Sequence, residues 1–318
     1  MGRRLGVLLC GLAVLASCSS GVKGAQTYTV QADQQEPAGK KIQFSEWFPA
    51  NITAEAGDTI VFHNASSEAP HTFTFGVKAD RSNSPAPDSP KGLNPAVFAP
   101  CYLKAGASKT LTSCANHVLP AYDGTGYWNS GAVFPGPTAK DVQIKLASNI
   151  PDGTYTFVCV LHSAMNGVLT IGKDRKTPAE VSAQASKDEA SAKTAALAVK
   201  VPPTEPNTIT AGWGTPSVSY NEFAPLQITV PVGTTVKWVD RHPEEPHTVT
   251  FESPFKSPSD PGVPAPGGVK SGGAYSGGFS HSGFIGGPQT FSLKFVKKGS
   301  YNFVCVIHPG MHGTVVVS

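Results

Sequence analysis

The residues able to do chemistry in this chain fall into two matching groups. The spacing Cys-x2-His-x2-Met occurs at Cys159, His162 and Met165, and again at Cys305, His308 and Met311. Each group has an upstream histidine opening a short alternating segment, His71 in His71-Thr72-Phe73-Thr74-Phe75 and His247 in His247-Thr248-Val249-Thr250-Phe251. Two imidazoles, a thiolate and a weak thioether are the donors of a trigonal copper site with a distant axial methionine. Thiolate and thioether suit Cu(I), and imidazole serves Cu(I) and Cu(II) alike, so the set can hold both oxidation states. Three donors from one tight loop and one from a distant strand let a stiff scaffold fix a compromise geometry. Little then rearranges when one electron arrives or leaves.

A lone buried histidine or cysteine is usually packing, so the pairing of the two groups decides the matter. Beyond the initiator, Met165 and Met311 are the only methionines, and both fill the same slot. His63, His117, His242, His281 and His312 have no counterpart between the groups and read as surface or loop residues. A Cys159–Cys305 disulfide accounts for the thiols but not for the paired histidines and methionines. A zinc site would seldom use methionine.

The elements that position these residues repeat along the chain. Residues 44–75 align without a gap on residues 220–251, with 12 of 32 positions identical, and residues 153–171 align on 299–317, with nine of 19 identical. Between these blocks the first copy is 30 residues longer, and the excess contains Cys101 and Cys114. All four donors of each group lie within one copy, so each copy is expected to hold its own metal. Val142, Ile144 and Leu146 alternate with polar neighbours, as do Phe291, Leu293 and Phe295, which is the period of a strand. Tyr155, Phe157 and Cys159 share one face, as do Tyr301, Phe303 and Cys305, so each thiol ends a core-facing row.

Composition agrees with an all-β chain. Gly (33) and Pro (28) are too frequent for a helical bundle, while 40% hydrophobic residues suffice to build cores. The length suits two domains, expected at residues 27–172 and 207–318 as tandem Greek-key sandwiches. Residues 173–206 between them are Ala-rich and then Pro-rich. Pro178 could open a short helix, but the apolar stripe is thin, and the segment reads as a semi-rigid spacer, with a docked helix as the alternative.

Residues 1–18 read as an export signal with a basic start at Arg3 and Arg4 and an apolar stretch from Leu5 to Ala16. It ends in Leu15-Ala16-Ser17-Cys18, which resembles a bacterial lipobox, implying a lipid on Cys18 and a tether to the outer face of a membrane. Cleavage near Ala25, discarding Cys18, is the alternative. Export permits a Cys101–Cys114 disulfide stapling the inserted loop, worth roughly 3 kcal/mol through the unfolded chain. The net charge of +3 includes no basic run interleaved with aromatics, which argues against nucleic acid as a partner.

Both copies resemble the plastocyanin/azurin type of cupredoxin, and the short Cys-x2-His-x2-Met loop is most similar to that of amicyanin. The resemblance implies a type 1 blue copper centre in each domain, carrying single electrons, with a cytochrome or membrane electron-transfer complex as partner. It also implies that His162 and His308 lie near the surface, where electrons enter and leave. Thr72 and Thr248, directly after the first ligand, are expected to orient the site through hydrogen bonds. Copper oxidases and nitrite reductases share the fold, but they place histidines beside the cysteine. Here the neighbours are Val158, Val160, Val304 and Val306. A copper-trafficking or storage protein would show methionine- or histidine-rich clusters, which are absent from the sequence. The expectation is therefore an electron carrier and not an enzyme.

Overall fold

The computed structural model describes residues 24–35, 41–66, 69–78, 95–106, 118–135, 140–203, 205–256, 260, 262–287 and 289–318. Their regular structure is almost all strand, with one α-helix over Pro178–Ala198. The chain is all-β, built as two tandem sandwiches of the expected class. Cys18, Cys114 and His117 lie outside the described residues.

In the first repeat one sheet runs in the order Trp47–Phe48, Thr27–Ala32, Thr59–Asn64, Val142–Lys145. The other runs Asn51–Ala54, Asn166–Ile171, Gly153–Val158, His71–Phe75, Tyr127–Val133, Cys101–Leu103. In the second repeat the sheets are Ala274–Tyr275, Thr290–Phe295, Thr235–Arg241, Thr208–Thr215, Val218–Ala224, Ile42–Phe44, and Gln227–Val230, His312–Val317, Gly299–Val304, Thr250–Phe251, Ser280–His281, Gly267–Gly268. The period-two rows point inward as expected: Phe157 and Cys159, and Phe303 and Cys305, are buried in the two sandwich cores.

The cores solve the same packing problem with exchanged parts. Trp47 and Phe62 in the first repeat align with Phe223 and Trp238 in the second. Each indole meets the phenylalanine two residues before the cysteine edge-on, Trp47 on Phe157 at 5.4 Å between ring centroids and Trp238 on Phe303 at 5.2 Å. The exchanged pair keeps one indole and one phenyl ring in each core, so its volume is conserved although the positions are swapped.

Two features depart from the expected organisation. The first is the strand Ile42–Phe44, which lies within the first repeat's sequence but completes the second repeat's sheet. It pairs antiparallel with Val218–Ala224, matching Phe44 to Val218, Gln43 to Ser219 and Ile42 to Tyr220. The second is the segment between the repeats, which is a docked helix and not a spacer. Thr177 caps it in a reciprocal capping box with Glu180, and Pro178 occupies its first turn. Val181, Ala192 and Ala196 are buried. Ala192 and Ala196 join Ile42, Phe44, Phe48, Trp213, Val218 and Tyr220 in a third apolar cluster, lying between the repeats. Tyr220 Oη donates to the Ala196 carbonyl at 3.0 Å, and Gln34 Nε2 donates to the Glu189 carbonyl at 3.1 Å. At the approach to the helix, Arg175 is paired to the buried Asp58 at 2.6 Å. The stripe looked thin because alanines bury little area each, yet they allow close approach.

Cys101 is buried and disulfide-bonded. Among the described residues no helix is long and apolar enough to cross a membrane.

Candidate metal centre

The sheet register brings the separated donors together. Strand His71–Phe75 pairs with Gly153–Val158, matching Thr74 to Val158, so His71 arrives beside the loop that follows Val158. That loop is closed by Cys159 N–H donating to the Met165 carbonyl at 3.0 Å and Met165 N–H donating to the His162 carbonyl at 3.1 Å. The second repeat does the same with Cys305, His308 and Met311, at 2.9 and 3.2 Å.

The donor atoms of His71, Cys159 and His162 all lie within 4.8 Å of one another, as do those of His247, Cys305 and His308. In each set the cysteine Sγ is 3.4 Å from the Nδ1 of the loop histidine. Donors held at about 2.0–2.3 Å from one ion stand about 3.5 Å apart, so this spacing suits a shared metal. Both nitrogens of His71 and of His247 are buried without a protein hydrogen-bond partner, a costly arrangement that a metal ion at Nδ1 would relieve. Met165 and Met311 are buried in the same cores as the cysteines.

The electrostatics favour thiolates. Burial alone would raise the Cys159 thiol, but His162 and His71 outweigh it and hold it well below the ordinary range. His308 and His247 do the same for Cys305. Each sulfur also receives the threonine after the first histidine. Thr72 N–H and Oγ1 lie 3.4 and 3.8 Å from Cys159 Sγ, and Thr248 N–H and Oγ1 lie 3.3 and 3.7 Å from Cys305 Sγ.

His162 and His308 do not lie open at the surface, as the resemblance implied. They retain only 8% and 2% exposure. Glu245, from the second repeat, places Oε1 3.2 Å from His308 Nε2 and Oε2 3.6 Å from His162 Nε2. Gln43, on the exchanged strand, lies with Nε2 2.9 Å from His162 Nε2 and accepts from Asn221 at 3.2 Å. Two further unmatched histidines are interior rather than surface residues. His242 accepts backbone N–H groups of Glu244 and Glu245, and His281 bonds Thr250 Oγ1 and the Val263 carbonyl. His63 pairs with Asp141 at a partly exposed position, and His312 is exposed.

Sequence reasoning missed Asp33, Gln43 and Glu245. Glu245 aligns with Ala69 in the first repeat, so the duplication carried no sign of it. Asp33 and Gln43 precede the aligned blocks. Asp33 has a positive φ of 60°, accepts from Gln34 N–H and Phe44 N–H at 2.7 and 2.9 Å, and places Oδ2 3.5 Å from His71 Nε2. That separation is ion-pair contact rather than a hydrogen bond. Burial would lower the His71 imidazolium, but Asp33 and Cys159 outweigh it and raise it.

Residues 216–318 match the family of copper binding proteins described as plastocyanin/azurin. That match spans most of the C-terminal repeat, and the first repeat carries the same Cys-x2-His-x2-Met spacing and upstream histidine. A purple cupredoxin from Nitrosopumilus maritimus is 21% identical over 35% of this chain and 98% of its own, with a TM-score of 0.24. An oxidised amicyanin variant is 24% identical over 35% of this chain and 80% of its own, with a TM-score of 0.23. A Cu(I) amicyanin variant is 23% identical over 39% of this chain and 89% of its own, with a TM-score of 0.24. No curated protein matches the chain.

Proposed function

We propose that this protein is an extracytoplasmic one-electron carrier with a type 1 copper in each domain, tethered to the outer face of a membrane through a lipid on Cys18. The observation that carries the reading is the closed donor set. His71, Cys159, His162 and Met165, and His247, Cys305, His308 and Met311, are all buried, and four such donors would fill the coordination of a bound copper. Copper bound there would supply reversible Cu(II)/Cu(I) chemistry. The chain's own part is to fix the donors, shield the thiolate and bond it through Thr72 or Thr248. The partners are redox proteins of the cytochrome or membrane-complex kind.

The test is copper content and the visible spectrum of the full chain. Two coppers and an intense thiolate-to-Cu(II) band are expected. Cys159→Ser and Cys305→Ser should each remove one copper and about half of the colour. One substitution abolishing both would refute the two-site reading. Steady consumption of oxygen or nitrite would refute the carrier reading. Cys18→Ala should release the protein from membranes or block its processing, and unchanged retention would refute the tether.

A further inference from the structure

The two ligand sets meet end to end. His162 points Nδ1 at Cys159 Sγ, 3.4 Å away, and Nε2 at Glu245. His308 points Nδ1 at Cys305 Sγ, also 3.4 Å away, and Nε2 at the other oxygen of the same carboxylate. A line therefore runs from sulfur through imidazole, carboxylate and imidazole to sulfur, crossing from one domain to the other. Gln43 flanks it, 2.9 Å from His162 Nε2 and 3.4 Å from Glu245 Oε2. The Glu245 side chain is 12% exposed, so little water reaches the junction.

The two ends of this line are not alike. Strand pairing matches Thr29 to Val61 and Thr208 to Lys237, and Val61 and Lys237 are equivalent in the repeat. Counting forward makes Asp33 and Gly212 equivalent, and both have positive φ, 60° and 75°. Asp33 sets a carboxylate against the outer nitrogen of His71. Gly212 sets nothing against His247; a Cβ there would stand 1.8 Å from His247 Nε2.

We propose that the two sites exchange an electron directly across Glu245, and that the N-terminal site is the donor of the pair. The inference rests on the reading that both sites hold copper. A carboxylate on the outer nitrogen of a ligating imidazole makes the ring a stronger donor, which favours Cu(II) over Cu(I). Two carboxylates face the outer imidazole nitrogens of the first set, Asp33 at 3.5 Å from His71 and Glu245 at 3.6 Å from His162, whereas Glu245 alone, at 3.2 Å from His308, faces the second. The N-terminal site therefore holds its oxidised ion more firmly and gives up its electron more readily. In the transfer one Cu(I) in the N-terminal set becomes Cu(II), and one Cu(II) in the C-terminal set becomes Cu(I). No bond breaks and no proton moves. A one-electron reductant of the redox-protein class supplies the electron, and an acceptor of the same class removes it.

The test uses the full chain loaded with copper and reads the centres by electron paramagnetic resonance, with Cys159→Ser and Cys305→Ser supplying each centre's reference spectrum. After one electron per two coppers, the remaining Cu(II) should be N-terminal by on the order of tenfold. Asp33→Asn, which keeps the acceptor for Gln34 and Phe44 N–H, should bring that ratio towards one. Following a rapid pulse of reductant, redistribution between sites should be independent of protein concentration, and Glu245→Ala should slow it at least about tenfold while both coppers stay bound. Glu245→Gln, which keeps the shape, guards against a mere packing loss and should slow it less. Fewer than two coppers would overturn the two-site reading itself. With two coppers bound, preferential reduction of the N-terminal centre, a ratio insensitive to Asp33, or redistribution that scales with concentration would overturn the relay alone.

Discussion

Thr72 is joined to Cys159 from two directions, its backbone N–H 3.4 Å and its hydroxyl 3.8 Å from Sγ. The same hydroxyl accepts the Val160 N–H at 2.9 Å, so it ties the strand that carries His71 to the loop that carries the thiolate. Thr248 does the same in the second domain, accepting from Val306 N–H at 2.8 Å. Thr72→Val should leave the Val160 N–H without its acceptor and cost about 1–3 kcal/mol. It should also shift the N-terminal charge-transfer band, because the sulfur loses a donor. Denaturant unfolding of the copper-free chain checks the first effect and the visible spectrum the second. Thr72→Ser should be milder in both, and a silent Thr72→Val would refute the role.

Gly212→Ala should disable one site selectively. The added Cβ would meet His247 Nε2 at 1.8 Å, and the residue's φ of 75° already disfavours a side chain. The C-terminal copper should be lost or its spectrum altered, while the N-terminal centre, whose donors all lie in the other domain, keeps its own. Copper titration of the variant measures this directly.

Asp240 takes the place of Asn64 in the repeat, and the exchange has a consequence for pH. Asn64 Nδ2 donates to the Ala69 and Val133 carbonyls at 3.1 and 2.7 Å. Asp240 Oδ1 accepts from His242 N–H at 2.7 Å, but Oδ2 is buried with no partner. Burial, with the Glu245 charge adding to it, pushes this carboxyl up to about 8 from its ordinary 3.8. The unfolded chain releases the proton first as pH rises, so this group's contribution to stability falls between about pH 4 and pH 8 and is flat outside that window. Asp240→Asn should raise the midpoint of thermal unfolding at neutral pH and flatten its slope across the window. An unchanged slope would refute the assignment.

The docked helix is testable through its smallest contacts. Ala196 is fully buried, and its carbonyl accepts the Tyr220 hydroxyl at 3.0 Å. Ala196→Glu would force a carboxylate into the cluster between the domains and should lift the helix. Pulsed resonance between the two oxidised coppers should then change from one narrow distance to a broad distribution, with both coppers still bound. Retention of a narrow distance would show that the helix does not hold the domains in place.

Much of the site was legible because it is written twice. The matched Cys-x2-His-x2-Met loops, the upstream histidines and the core-facing rows are local patterns, and the sandwiches follow from them. What stayed hidden was everything between the copies. Ile42–Phe44 is too short to declare which sheet it joins. Ala192 and Ala196 give a helix almost no apolar signature. Glu245 stands where the first repeat has Ala69, so its bridging place depends on the docking and not on any pattern within one copy. The interior residues His242 and His281 look like loop residues for a related reason: Thr215 and Val218, and Thr250 and Val263, which bond them, are distant in sequence.

The strand Ile42–Phe44 means that inheritance and assembly follow different boundaries in this chain. Every candidate metal donor of the second group lies after residue 246, yet the sheet behind it is finished by residues that are synthesised far earlier. A polypeptide beginning at residue 207 would display the bare edge of Val218–Ala224, and an open edge is a template for another strand. Such a fragment would meet its own copies there, so its copper chemistry would be read on an associating species. During synthesis, likewise, residues 42–44 must wait with their hydrogen bonds unmade until the second half emerges. The molecule carries two His/Cys/His groups by duplication and is one folding unit by exchange.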